Sequence, residues 1–188
     1  HADVYGGRAL VFDGVSDYLD CGTTNLDTSD FTVSIWINFN NIGSYERVVG
    51  NRLTSGASQG FEIRTAGGSN GYEAVLDYGS AHFSASTTYT STNEWHHVCV
   101  TADRDGNMVL YINGLAESTV DISSGSSGSL NHSENLILGA RPNFTAFFNG
   151  KMCDFKLFKG IAFSESQVQE LYKKPESNPS NTTEYLER

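Results

Sequence analysis

The residues with the chemistry to do work in this chain are scattered carboxylates, two adjacent histidines, and aromatic and polar side chains interleaved on short extended runs. A glycan-cleaving site needs two or three carboxylates facing one cleft, most simply at alternate positions of one strand. Glu62, Glu73, Asp77 and Glu94 instead stand singly, and Asp103 and Asp105 belong to a turn-forming run. There is no nucleophile elbow, phosphate-cradling glycine loop or zinc motif, so the chain reads as a non-enzyme. His96 and His97 are neighbours on an extended run and point to opposite faces, which prevents them from sharing a metal readily. Asp103-x-Asp105-x-Asn107 has the opening rhythm of a calcium loop but lacks the glycine and the terminal glutamate of an EF-hand, and it is read as a hairpin turn. Cys21, Cys99 and Cys153 are odd in number, without metal spacing, and each falls on an apolar beat, so they are expected to be small buried core residues. Free buried thiols are compatible with folding in a reducing compartment.

Binding chemistry is better represented. Gly60 to Arg64 and Tyr72 to Tyr78 read as two paired strands, with Glu62, Arg64, Tyr72, Tyr78 and then His82 expected on exposed faces. Aromatic rings stack on pyranose C–H faces while carboxylates and guanidinium groups fix hydroxyls, so this mixture suits a sugar-binding sheet face. An ordinary solvated antiparallel face has the same composition, and both readings stand. Trp36 shares a face with Ser34 and Asn38, either a concave binding surface or one covered by loops. Phe144, Phe147 and Phe148 crowd one loop: exposed, they form a contact patch for a partner subunit or glycan; buried, they cap one end of a sandwich.

The elements that must position these residues are strands. Glu94 to Glu117 is a β-hairpin whose arms are apolar on both faces, as strands inside a covered sheet are, and Asn113-Gly114 makes a second tight turn. Phe31, Val33, Ile35, Ile37 and Phe39 form the cleanest period-two stripe and are assigned to the core. Ile122 to Ser133, which contains Ser-Ser-Gly-Ser-Ser-Gly-Ser, reads as a flexible loop. One helix is expected over Phe163 to Lys174, with Ser164 as N-cap, Gln167 closing a capping box, Phe163 and Val168 as a hydrophobic staple, and Pro175 as the stop. A chain of 188 residues with 19 glycines and 3 prolines fits one all-β domain rich in tight turns. The formal net charge of −10 disfavours nucleic acid and anionic membranes, and no window is apolar enough to insert in a membrane. The first residue is His1 rather than Met, consistent with a processed or excised piece or a tag remnant.

Trp95-His96-His97-Val98, Thr101-x-Asp103 and Leu110-Tyr111-Ile112-Asn113-Gly114 resemble the motifs of laminin-G-like and pentraxin-like jelly rolls of the concanavalin A-like superfamily. Leu10 to Tyr18, Phe31 to Ile37, Leu136 to Ala140 and Gly150 to Phe158 follow in the family's order, over residues 8–174. The resemblance implies an antiparallel two-sheet β-sandwich with one short C-terminal helix, preceded by a lead-in (1–7) and followed by a polar tail or linker (175–188). It implies a structural Ca2+ held by Asp13 and Asp154, with Asp17 and the Gly50 carbonyl as further ligands. Asp154 also interrupts an otherwise apolar strand, where a carboxylate needs a cation, a donor or water. The neighbourhood of first and last strands in the fold implies a Cys21–Cys153 disulfide as an alternative to free thiols. The expected function is non-catalytic glycan recognition or adhesion at an extracellular or cell surface, through Trp36, Arg64, Tyr72, Tyr78, Phe144, Phe147 and Phe148. The alternative is a virion or fibre protein acting in assembly or host attachment, as a homo-oligomer or with other virion or surface proteins. Asn131, Asn143 and Asn181 open glycosylation sequons, which matter in a eukaryotic secretory route.

Overall fold

The computed structural model describes residues 3–5, 9–40, 45–53, 59–67, 71–89, 91–131 and 133–173. The strands are β1 (Asp3–Tyr5), β2 (Ala9–Asp13), β3 (Leu19–Asp20), β4 (Phe31–Phe39), β5 (Arg47–Gly50), β6 (Gly60–Thr65), β7 (Tyr72–Asp77), β8 (His82–Ser86), β9 (His96–Ala102), β10 (Asn107–Ile112), β11 (Leu115–Asp121), β12 (Ile137–Leu138) and β13 (Asn149–Lys159), followed by helix α1 (Glu165–Lys173). They form two antiparallel sheets: a larger one in the order β1-β2-β13-β4-β9-β10-β11 and a smaller one in the order β3-β12-β5-β6-β7-β8. This is the expected jelly-roll sandwich. The lead-in contributes more than expected, because β1 pairs with β2. The tail, with Lys174 and Pro175, lies outside the described residues.

Alternation explains the layering. Phe31, Val33, Ile35, Ile37 and Phe39 point inward from β4, and each is fully buried. They meet Phe61, Ile63, Ala74 and Leu76 of the smaller sheet in one core cluster. Each such side chain contributes about 1.5–3 kcal/mol by leaving water, so this seam is what holds the two sheets together. The β9–β10 hairpin closes as the turn chemistry predicts: the Asp103 amide donates to Asn107 O, and Asp103 Oδ1 accepts the Asp105 amide. Asn113 and Gly114 both take positive φ, 52° and 80°, which a two-residue hairpin turn requires.

The serine- and glycine-rich segment after β11 is held in place rather than loose. Buried Arg104 donates to the carbonyls of Asp27, Gly125, Ser126 and Gly128, and its guanidinium lies 4.5 Å from the Tyr78 ring centroid. A Cβ on Gly125 would stand 2.3 Å from the same ring, so only glycine lets the loop close over it.

The outer face of the larger sheet is covered by α1. The Ser164 amide donates to Gln167 Oε1, the return half of the capping box, and Phe163 packs with Val168 as the staple demands. Val168 is buried on Cys99 and Tyr111, and Tyr172 stacks on Trp36 at 5.7 Å and 22°. The cysteines therefore differ from one another: Cys99 is buried, Cys153 half-buried and Cys21 exposed. Cys21 follows β3 of the smaller sheet whereas Cys153 lies beside Trp36 in the larger one, so no disulfide joins them.

His96 and His97 do point to opposite faces. His96 Nδ1 is 2.6 Å from Tyr72 Oη inside the sandwich, whereas His97 lies under α1, its Nε2 2.9 Å from Ser34 Oγ. Burial, reinforced by the nearby charge of Lys156, pulls His97 down to about 4, and burial lowers His96 too. An unfolded histidine titrates near 6.5, so between the two values the unfolded chain binds the proton more readily. Stability is therefore complete above about pH 6.5. It is expected to fall by about 3 kcal/mol for His97 as pH drops to about 4. Urea unfolding across this window should show the slope, and His97→Gln should flatten it.

Candidate functional site

The outer face of the smaller sheet carries the charged residues. The ladder sets Arg64 opposite both Glu73 on β7 and Arg47 on β5, and Glu62 opposite Gly50. Gly50 is needed there: a Cβ would come within 2.8 Å of the Glu62 backbone. Glu62, only 1 % exposed, is reached by Arg47 at 2.9 Å, Arg52 at 3.1 Å and Arg64 at 2.9 Å. Arg52 also binds Asp77 at 2.9 Å, and Arg64 Nε binds Glu73 at 2.7 Å. Burial lowers Arg47 to about 10 against the pull of Glu62, with Arg141, Arg64 and Arg52 adding repulsion. Burial pushes the Glu73 carboxyl up, but the hydrogen bonds from Arg64 and Ser84 and the Arg64 charge outweigh it, so Glu73 stays below the usual glutamate value.

This network ends at a cleft of about 280 Å³ lined by Tyr45, Arg64, Ala66, Glu73, Ser86, Thr87 and Thr88. Tyr45 is 48 % exposed, and the Arg64 guanidinium lies 4.9 Å from its ring centroid. Its backbone is in the left-handed region at φ 60°, and Gly67 at φ 71° passes so close that a Cβ would stand 2.9 Å from the ring. A half-exposed aromatic ring, a guanidinium and a carboxylate in contact, and the hydroxyls of Ser86 and Thr88 can bind a polar ligand with a C–H face.

Of the sequence-predicted contacts, only Arg64 lines this cleft. Tyr72 is fully buried, packed on Phe39 and bonded to His96. Tyr78 is 5 % exposed beneath Arg104 and the loop that Arg104 holds. Both share the parity of Ala74 and Leu76, the inward one, and their expected exposure is corrected. Trp36 is covered by Tyr172 of α1 and is not a binding surface. The phenylalanine loop divides: Phe148 is a core residue against Phe12 and Phe39, Phe147 is half-buried, and Phe144 is half-exposed beside Tyr18, ring centroids 4.6 Å apart. Tyr45 and Ser86 to Thr88 were missed; the signal available was an aromatic beside Arg47 and a run of hydroxyl residues ending β8. Glu62, Glu73 and Asp77, scattered in sequence, are gathered on one face, each ion-paired with arginine.

The family model for the concanavalin A-like lectin/glucanases superfamily, in its laminin-G-like form, matches residues 13–169. The chain belongs to that superfamily. No curated protein sequence matches it. Among solved structures, the ligand-binding domain of botulinum neurotoxin serotype D in complex with N-acetylneuraminic acid is similar at TM-score 0.72 and 20 % identity, over 92 % of this chain and 43 % of that one. The binding domain of Paraclostridial Mosquitocidal Protein 1 gives 0.71 and 19 %, over 91 % and 45 %. A heptameric SAP-like pentraxin from Limulus polyphemus gives 0.68 and 16 %, over 90 % and 84 %. The chain thus spans less than half the length of the toxin domains.

The calcium ligands carried over from the family do not fit one ion in this laminin-G-like domain. Asp13 Oδ1 accepts the amides of Val15, Ser16 and Asp17, and Asp17 Oδ2 accepts the Asp13 amide, a self-contained turn that holds Asp13 down to about 2. Asn149 faces Asp13 across the ladder, and Asp154 stands five residues further along β13, roughly 16 Å at strand rise. Asp154 sits at a bulge, φ 52°, with Lys156 Nζ 3.0 Å from its carboxylate, which supplies the cation its strand position calls for. Gly50 belongs to the other sheet. Among the described residues, no three His, Cys, Asp or Glu side chains converge as metal ligands. Melting with calcium and with chelator is expected to give the same Tm, and a chelator-induced fall abolished in Asp13→Asn would restore the ion to this turn.

Proposed function

We propose that this domain is a non-catalytic carbohydrate-binding module at an exterior surface, and that its site is the cleft between Tyr45, Arg64 and Glu73. The observation that carries the reading is the aromatic ring set beside an ion-paired guanidinium and carboxylate, in a cleft also lined by Ser86, Thr87 and Thr88. The ring offers a face for sugar C–H groups and the polar groups read hydroxyls. The structural neighbour holding N-acetylneuraminic acid and the family's lectin-like fold support the same class of ligand. A binding role is supported by the carboxylates of this face, each of which is engaged by an arginine. No helix among the described residues is long and apolar enough to cross a membrane.

A second reading, an assembly or attachment role in a virion or fibre, is favoured by one feature. Phe144 is 50 % exposed on a residue with φ 56°, paired with Tyr18 and in a chain that also exposes Val15 and Leu19. Light scattering separates the two. A monomer supports the module; an oligomer that dissociates in Phe144→Asp supports assembly. For the cleft, Tyr45→Ala is expected to weaken glycan binding at least about tenfold while Tm shifts by no more than about 3 °C, because the ring is half in water. Unchanged binding in that variant would remove the cleft from the site.

A further inference from the structure

We infer that the cleft selects a neutral pyranose presenting two adjacent hydroxyls and discriminates against carboxylated or sulfated sugars; the inference rests on the carbohydrate reading above. It comes from how the charges close. Arg64 lies between two carboxylates, Glu73 at 2.7 Å through Nε and Glu62 at 2.9 Å through Nη1. Glu62 is in turn shared with Arg47 and Arg52, and Arg52 reaches Asp77. Three guanidinium groups thus face three carboxylates, and Arg64 reaches the cleft already neutralised.

An anionic sugar entering beside Tyr45 would find Arg64 already shared between Glu73 and Glu62, and would bring its own charge against the Glu73 carboxylate. Like charges at contact in a half-buried site repel strongly, and the formal net charge of −10 adds to the repulsion. A neutral sugar meets no such conflict. One hydroxyl can donate to Glu73, and its neighbour can accept from Arg64 Nη2, the nitrogen not committed to a carboxylate among the described residues. Donor and acceptor are held side by side by the direct ladder pairing of Arg64 with Glu73, and this pre-organisation favours vicinal hydroxyls over isolated ones. The hydroxyls of Ser86 and Thr88 can each donate or accept and so do not impose charge.

The test is calorimetric titration of the whole chain with methyl glucoside, galactoside and mannoside and their disaccharides, alongside N-acetylneuraminic acid and galactose 6-sulfate. Neutral sugars are expected to bind, with affinity changing less than about twofold between low and high salt, because no net charge is exchanged. Removing one of the two neighbouring hydroxyls should cost at least about tenfold, since Arg64 or Glu73 then loses its partner. The acidic sugars should bind at least about tenfold more weakly than the neutral ones. Glu73→Gln keeps the shape but leaves Arg64 in excess, so it should weaken neutral binding and raise affinity for N-acetylneuraminic acid. Acidic sugars that bind the unaltered chain as tightly as neutral ones, and lose affinity with salt, overturn the selectivity while leaving the carbohydrate reading intact. No binding by any sugar overturns both.

Discussion

The outer face of the smaller sheet depends on one buried carboxylate. Glu62 is removed from water on a sheet face where alternation alone would place a solvated residue, and it is tolerable there only because three arginines surround it. Replacing such a cluster with apolar side chains often leaves a protein equally stable, so its value lies in geometry rather than in free energy. It ties two stretches together: β5 and the segment that follows it, through Arg47 and Arg52, and β6, through Arg64. The last of these carries the arrangement to Glu73 and the Tyr45 ring, so the cleft's walls are held by the same charge that occupies the sheet's centre.

The two outer faces solve the problem of covering a sheet by opposite means. On the larger sheet α1 lays Val168 and Tyr172 over Cys99, Tyr111 and Trp36, and the covered polar groups, His97 and Ser34, bond to each other. On the smaller sheet arginine stems and paired head groups do the covering, and among the described residues no helix is laid over them. Arginine suits this role because its apolar stem can lie along the sheet while its planar head takes several carboxylate oxygens in defined directions. An apolar cover seals a face; an ionic cover leaves polar groups at its margin, and that margin is where the cleft opens.

Much of the sandwich was legible residue by residue. The Phe31-to-Phe39 stripe, the β9–β10 hairpin, the Asn113-Gly114 turn and the capping box of α1 rest on interactions within a few residues of each other. The opposite orientation of His96 and His97 follows from the same short-range rule. Residue type is a poorer guide to exposure than strand parity: Tyr72 and Tyr78 suit sugar by type, yet they share the parity of Ala74 and Leu76 and lie inside. Asp13 and Asp154 were brought together by the fold's strand order, but register separates them.

What the sequence by itself determined is therefore the class: an all-β, acidic, two-layer domain with one capped helix, because period-two patterning, turn residues and caps are local and the hydrophobic effect needs only the pattern. The tertiary structure decided the site. Register across two strands, β6 and β7, brought Glu62, Arg64 and Glu73 onto one face, Arg47 and Arg52 arrived from β5 and the segment after it, and α1 closed over Trp36 rather than leaving it to a ligand. Those outcomes depend on which residues far apart in the chain become neighbours, and no local rule contains that information, since the pairing of distant strands is fixed only when the whole core packs.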